Sequence, residues 1–217
     1  MELTVNSQEA LAKLVSGVAK YQAEVFPAYR KVYEELQHEQ HPIAMLFTCA
    51  DSRLLTNLIL QAGPGEIFTE RTPGNIVPKY SDHVGGVTAS MEYANRVLEV
   101  PLMIVCGHTD CGVVKALLEP EKAAGMPALQ SWMRHALPAR ERLLRDHPKS
   151  SKEEKLRFLT EYNVLAQMEN LKTHPTVEER LARGDLLLQG WIYDIATGAV
   201  SVADPDTGVF APLSSNP

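Results

Sequence analysis

Apolar positions recur along this chain first at helical spacing and then in short blocks. Leu11, Leu14, Val15 and Val18 share one helical face, and Tyr29, Val32, Tyr33 and Leu36 restart the same spacing after Pro27. Asn6 with Glu9 three residues later has the form of a capping box, and Pro27 is expected to break or kink the run. From residue 43 the rhythm changes. IAMLFT (43–48), EIFTER (66–71) and PLMIVCG (101–107) read as strands, with VTASMEYANRVLE (87–99) as a helix between the last two. Continuous apolar strands joined by helical crossovers predict a parallel sheet covered on both faces. Helical spacing returns over about 128–146 and 152–170, and LLLQGWIYDIATGAVSVAD reads as a hairpin turning at Thr197 and Gly198. No internal repeat is evident, and PLSSNP at the end is expected to be disordered.

This pattern divides the chain into a helical arm (1–40) and an α/β domain (41–213). The arm carries an apolar stripe but no partner for it, so a second subunit is expected to cover it. At 217 residues the chain is long enough to bury a real core. Its net charge of -6 argues against a nucleic-acid partner, which would call for clustered Lys and Arg. No apolar run approaches the roughly 20 residues needed to cross a bilayer, and MELTVNSQEA lacks the features of a signal sequence. A soluble, cytoplasmic protein without a membrane partner is therefore expected. Three cysteines, an odd number, do not make a secreted disulfide framework.

Two of those cysteines stand where chemistry is expected. The run IAMLFTCADSR stops at Cys49, Asp51 and Arg53, which an extended segment would set on one side. PLMIVCGHTDC stops in the same way at His108 and Cys111, in H-x-x-C spacing. Carboxyl ends of parallel strands share one edge of the sheet, so neighbouring strands would bring Cys49, Asp51, His108 and Cys111 together. Two thiolates and an imidazole suit zinc, with a carboxylate or water in the fourth position, and the missing fourth Cys or His favours a catalytic site over a structural one. Either motif alone more often marks a packed thiol or a chance pairing; both at matching strand ends point to metal. Arg53 could hold Asp51 bidentately and so keep it off the metal. Cys106, inside its apolar run, reads as a small buried hydrophobe. His38, His41, His83, His135, His147 and His174 lack ligand spacing and are read as surface residues, with a proton-relay role weighed for His41 or His83.

C-A-D-S-R (49–53) with H-T-D-C (108–111) resembles the signatures of the β-class carbonic anhydrases. The likeness extends to GPGEIFTERTPGN (63–75), GGVTASMEY (85–93) and GWIYDIATG (190–198), and so covers roughly residues 40 to 200. It implies a mostly parallel four-stranded sheet with an added antiparallel strand, flanked by helices. The N-terminal helices would embrace a partner in a homodimer, which can pair into tetramers. It implies one zinc ion per subunit on Cys49, His108 and Cys111, and an Asp51–Arg53 dyad in which Asp51 ligates zinc when the site is closed. Gln40, reaching a neighbouring subunit's pocket, Phe68, Tyr93 and the Gly112 amide would line the substrate site. The reaction implied is reversible hydration of carbon dioxide to bicarbonate and a proton. Leu46 stands where some bacterial members have a tryptophan that helps form an inhibitory bicarbonate site, so a plant-like, non-allosteric pocket is expected. Pro73 departs from the small apolar residue usual at its position. The alternatives are hydrolysis of carbon disulfide or carbonyl sulfide on the same zinc, a zinc-stabilised interaction protein, and thiol redox chemistry at Cys106 and Cys111. The C-x-x-x-x-C spacing of that last pair is not that of oxidoreductases.

Overall fold

A computed structural model of the chain describes residues 6–80 and 85–214; His83 lies outside them. The chain forms two compact units, Met1–Gln40 and His41–Pro217. In the first, helix α1 (Ser7–Lys20) starts at the expected capping box: the Asn6 side chain accepts from the amides of Gln8 and Glu9, and the Glu9 carboxylate accepts from the Asn6 amide. The break ascribed to Pro27 takes the form of a wider π-helical turn, Tyr21–Val25. Pro27 itself sits in the first turn of α2 (Phe26–Leu36), where its missing N–H costs nothing. Neither helix buries a residue; Leu14 is 68% exposed and Val18 57%.

The second unit opens with β1 (Ala44–Cys49), buried at every position as an interior strand with both faces covered must be. After it come a short helix α3 (Thr56–Leu60), β2 (Ile67–Thr72), a 3-10 turn at Pro73–Asn75, α4 (Gly86–Arg96) and β3 (Leu102–His108). The chain goes on through α5 (Gly112–Leu118), α6 (Pro127–Met133), α7 (Leu137–Asp146), α8 (Lys152–Lys172) and α9 (Pro175–Arg183). It ends with β4 (Leu187–Tyr193), β5 (Val200–Ala203) and β6 (Phe210–Pro212). The strands form one sheet in the order β2-β1-β3-β4-β5-β6; the first four are parallel and β5 and β6 antiparallel. The expected four parallel strands and antiparallel addition are present, and the addition extends to a second strand. The spacing over 128–146 hides an interruption: α6 gives way to a 3-10 turn, Arg134–Ala136, and α7 restarts with Pro138 in its first turn.

Period-two side chains of the central strands, Met45, Phe47, Met103 and Val105, pack with Met91 and Ala94 of α4 in one core cluster. A second cluster, under the carboxyl end of the sheet, joins Cys49, Leu54, Ile76, Cys111, Val114, Leu117, Leu143 and Leu159. Helix α8 lies close to the strands. A Cβ at Gly190 would stand 2.5 Å from Met168 Sδ and 3.0 Å from Val164 Cγ1, so a larger residue there would force these α8 side chains to shift.

The two turns of the closing meander are duplicates. Asp194 Oδ1 accepts from the amides of Ala196 and Thr197 and from the Thr197 hydroxyl, and Asp204 Oδ1 does the same with Asp206 and Thr207. Each D-x-x-T-G turn ends on a glycine with positive φ, Gly198 or Gly208. This short repeat escapes a search for longer units.

The surface reading of His174 is corrected: it is 1% exposed, its Nε2 lies 2.9 Å from the Pro78 carbonyl, and burial lowers its pKa. His147 is half-buried, stacked on Phe158 with ring centroids 3.6 Å apart. His38 and His41 are exposed and His135 is half-buried.

Candidate metal centre

Strands β1 and β3 are neighbours in register, Thr48 beside Cys106, so their carboxyl ends open side by side. Cys49 closes β1, His108 closes β3, and Cys111 caps α5 three residues on. Their ligand atoms all lie within 4.8 Å of one another, with the two sulfurs 3.9 Å apart. All three residues are buried: Cys49 is 5% exposed, Cys111 3% and His108 0%. His108 Nδ1 lies 2.8 Å from the Thr109 carbonyl, which can only accept, so in the neutral ring the hydrogen sits on Nδ1 and Nε2 keeps its lone pair. Among the described residues Nε2 has no hydrogen-bond partner. A buried imidazole nitrogen left bare beside two thiols is what a metal ligand looks like before its ion is counted.

The thiols behave as a pair. Sharing a hydrogen bond with Cys111, with His108 beside it and donation from the Asp51 and Gly74 amides, brings the Cys49 thiol down to about 4 against the opposing effect of burial. Cys111 moves the other way, raised by the proton it shares with Cys49 and by burial. Two buried sulfurs 3.9 Å apart, one of them lowered by the other, suit a cation that would replace their protons. Cys106 takes no part: it is half-buried where its apolar run predicts full burial, and the burial of its sulfur pushes the thiol up to about 12.

Asp51 and Arg53 do not continue the strand, as the period-two reading expected. The strand stops at Cys49 and the dyad folds into a turn, with the Arg53 amide donating to Asp51 Oδ1 at 3.0 Å. Arg53 then clasps the same carboxylate with two bonds, Nε to Oδ1 at 2.9 Å and Nη2 to Oδ2 at 2.8 Å. This clasp holds the Asp51 carboxyl well below the usual carboxylate range. Asp51 Oδ2 stands 3.9 Å from His108 Nε2, beside the ligands while engaged by Arg53.

Several further residues shape this centre, Arg71 and Gly74 among them from the 63–75 stretch. Arg71 donates to the Cys49 carbonyl at 3.0 and 3.1 Å and to the Asp51 carbonyl at 2.7 Å, pinning the backbone between ligand and dyad. The Gly74 amide points at Cys49 Sγ from 3.4 Å. Gly74 has φ +70, and a Cβ there would meet Val113 Cγ1 at 2.7 Å. Its loop is held by Trp132 Nε1 on the Pro73 carbonyl and by an amide ladder on α8. Asn163 donates to the Gly74 carbonyl and Gln167 to Asn163; Gln167 accepts from the Val77 amide, and Asn170 donates to the Val77 carbonyl. Pro73, the departure noted in the sequence, opens the 3-10 turn, where no N–H is needed.

Of the expected substrate-site residues, Phe68 and Tyr93 pack together with ring centroids 6.1 Å apart. Gly112 is the first helical residue of α5. Gln40 is exposed and ends the N-terminal unit. Leu46 is buried inside β1.

Residues 44–200 match the carbonic anhydrase family. The chain belongs to its β class. A carbonic anhydrase of Pseudomonas aeruginosa is 39% identical over 204 residues, 94% of this chain and 92% of that protein. Carbonic anhydrase 1 of Escherichia coli O157:H7 is 38% identical over 95% of this chain and 94% of its own. Among solved structures, the β-carbonic anhydrase CcaA superposes with a TM-score of 0.92 at 36% identity, covering 95% of this chain and 93% of its own. As a member of the family, this carbonic anhydrase catalyses the hydration of carbon dioxide, and its Cys49–His108–Cys111 cluster is compatible with zinc.

Proposed function

We propose that reversible carbon dioxide hydration runs in this chain on one zinc ion per subunit, held by Cys49, His108 and Cys111, with Asp51 and Arg53 as the working dyad. The observation that carries this reading is the bare, buried Nε2 of His108 gathered within 4.8 Å of two buried sulfurs that stand 3.9 Å apart. When bound, zinc supplies the Lewis acidity that makes hydroxide available near neutral pH. Donation from two thiolates moderates that acidity, so hydration is expected to improve toward alkaline pH.

The rest is the work of the chain. Asp51, kept ionised by Arg53, is a fixed acceptor beside the ligands that would orient the nucleophile by taking a hydrogen bond from it. Held on the guanidinium, Asp51 would be kept from ligating zinc, and a carboxylate released from Arg53 would be a further residue able to hold the ion. Phe68 and Tyr93 keep the pocket wall apolar for a small gas, while the Gly112 amide and Gln40 from a neighbouring subunit bind substrate oxygens. Arm 1–40, with its exposed stripe, serves as the dimerisation arm of domain 41–213. Tetramers, the assembly of the β-carbonic anhydrases from Sordaria macrospora (TM-score 0.77, 25% identity, 95% of this chain and 100% of theirs), are the next level. Leu46 makes the pocket plant-like, without a bicarbonate effector site. Among the described residues no helix is long and apolar enough to cross a membrane, and we place the enzyme in the cytoplasm.

Metal analysis with stopped-flow proton release tests the reading. Cys49→Ser is expected to lose zinc and activity together, whereas Asp51→Asn keeps zinc and loses most turnover. Undiminished hydration by Asp51→Asn would overturn the dyad's role.

A further inference from the structure

We propose that Asp110 is a positioning residue for hydration, fastening the far edge of the Arg53 guanidinium to the loop that carries His108 and Cys111. This rests on the dyad reading above. Arg53 gives its near edge to Asp51, while Nη1 donates to Asp110 Oδ2 at 3.0 Å and Nη2 to the Asp110 carbonyl at 3.3 Å. The other Asp110 oxygen, Oδ1, pairs with Lys115 of α5, so each carboxylate oxygen has its own cation.

Connectivity explains why this contact matters. Asp51 and Arg53 are two residues apart and bond to each other, a closed local unit that could turn as one body on the segment after β1. His108 and Cys111 hang on a different segment, after β3. Arg71 fixes the backbone of the first segment but does not touch the guanidinium of Arg53. Asp110 supplies the link between the two segments, and with it the separation of Asp51 Oδ2 from His108 Nε2. Its backbone is committed to this: φ is +62, a left-handed conformation that Asp tolerates better than most residues.

An exposed ion pair ordinarily adds little stability. Asp110 is 54% exposed and Arg53 43%, so loss of the side chain is not expected to unfold the protein. Its effect should appear in the geometry of the dyad, where small displacements are costly.

Asp110→Gly tests the inference cleanly, since glycine takes positive φ without steric cost and only the carboxylate is lost. In the zinc-loaded enzyme we expect zinc content and KM for carbon dioxide to be unchanged and kcat to fall about fivefold, the kinetic equivalent of about 1 kcal/mol. The Arg53 Nε–H proton, observed by NMR, is expected to exchange with solvent several-fold faster. Asp110→Asn, which keeps an acceptor oxygen and tolerates the backbone, should recover most of kcat. On an Asp51→Asn background Asp110→Gly should cost nothing further. Wild-type kcat and proton exchange in Asp110→Gly would overturn the inference while leaving the dyad intact, as would an undiminished loss on the Asp51→Asn background. Full activity of Asp51→Asn alone would remove the dyad reading and this inference with it.

Discussion

Replacing Gly74 by alanine should damage the metal centre from the backbone side. At φ +70 an alanine pays about 1–2 kcal/mol for the left-handed conformation. Its Cβ would also stand 2.7 Å from Val113 Cγ1 and 2.9 Å from Val113 Cβ, distances that force α5 or the loop to move. Overpacking of this kind costs about 1–3 kcal/mol, so the total loss is roughly 2–5 kcal/mol. For a chain of this size that is a fall in Tm on the order of 10 °C. The displacement has a chemical cost as well, because the Gly74 amide lies 3.4 Å from Cys49 Sγ and helps stabilise its thiolate. Zinc affinity, measured by competition with a chelator, should fall alongside Tm. Adding Val113→Ala should relieve only the part due to the Cγ1 contact, leaving the 2.9 Å contact with Cβ and the part due to φ. A Gly74→Ala protein with the parent's Tm and zinc affinity would refute both arguments.

Other expectations follow from the same contacts. His174 is buried with a lowered pKa, so below its unfolded value of about 6.5 the unfolded chain binds protons first and stability falls as pH falls. Urea unfolding between pH 7 and 5 should show a shallower acid decline in His174→Gln than in the parent. Gln167→Leu strands the Val77 amide and the Asn163 side-chain oxygen inside the protein, and should cost roughly 2–5 kcal/mol in urea unfolding. After chelation at pH 8, iodoacetamide should label Cys49 well before Cys106, whose thiol is pushed up to about 12; mass spectrometry of the labelled peptides reads the order.

The ligands were legible because each stands at the end of a strand whose apolar run is itself legible, and a parallel sheet collects such ends on one edge. Asp51 and Arg53 were legible as a pair but not as a turn, since their spacing of two also fits an extended strand. Gly74, Arg71 and Asp110 were not legible as site residues. Gly74 acts through its amide, Arg71 on two backbone carbonyls and Asp110 through a carboxylate set by a left-handed backbone, and no spacing of side chains marks such partners. The stripe of Asn163, Gln167 and Asn170 on α8 reads as an ordinary polar face until the buried loop it binds is in view. Apolar spacing over 128–146 runs straight through Pro138, but a missing N–H interrupts a helix whatever its hydrophobic rhythm.

The separation of Cys49 and Cys111 gives the cluster a second meaning, in chain topology. The two thiols are 62 residues apart in the chain, yet their sulfurs lie within 3.9 Å. An ion gripped by both is a cross-link that closes a loop containing α3, β2, α4 and β3. By the loop-closure relation used for disulfides, tying a loop of that length in the unfolded ensemble is worth about 4 kcal/mol. Metal uptake thus acts as a thermodynamic clasp on the folded topology. Its strength can be read from the fall in Tm on chelation, without turning over a single substrate molecule.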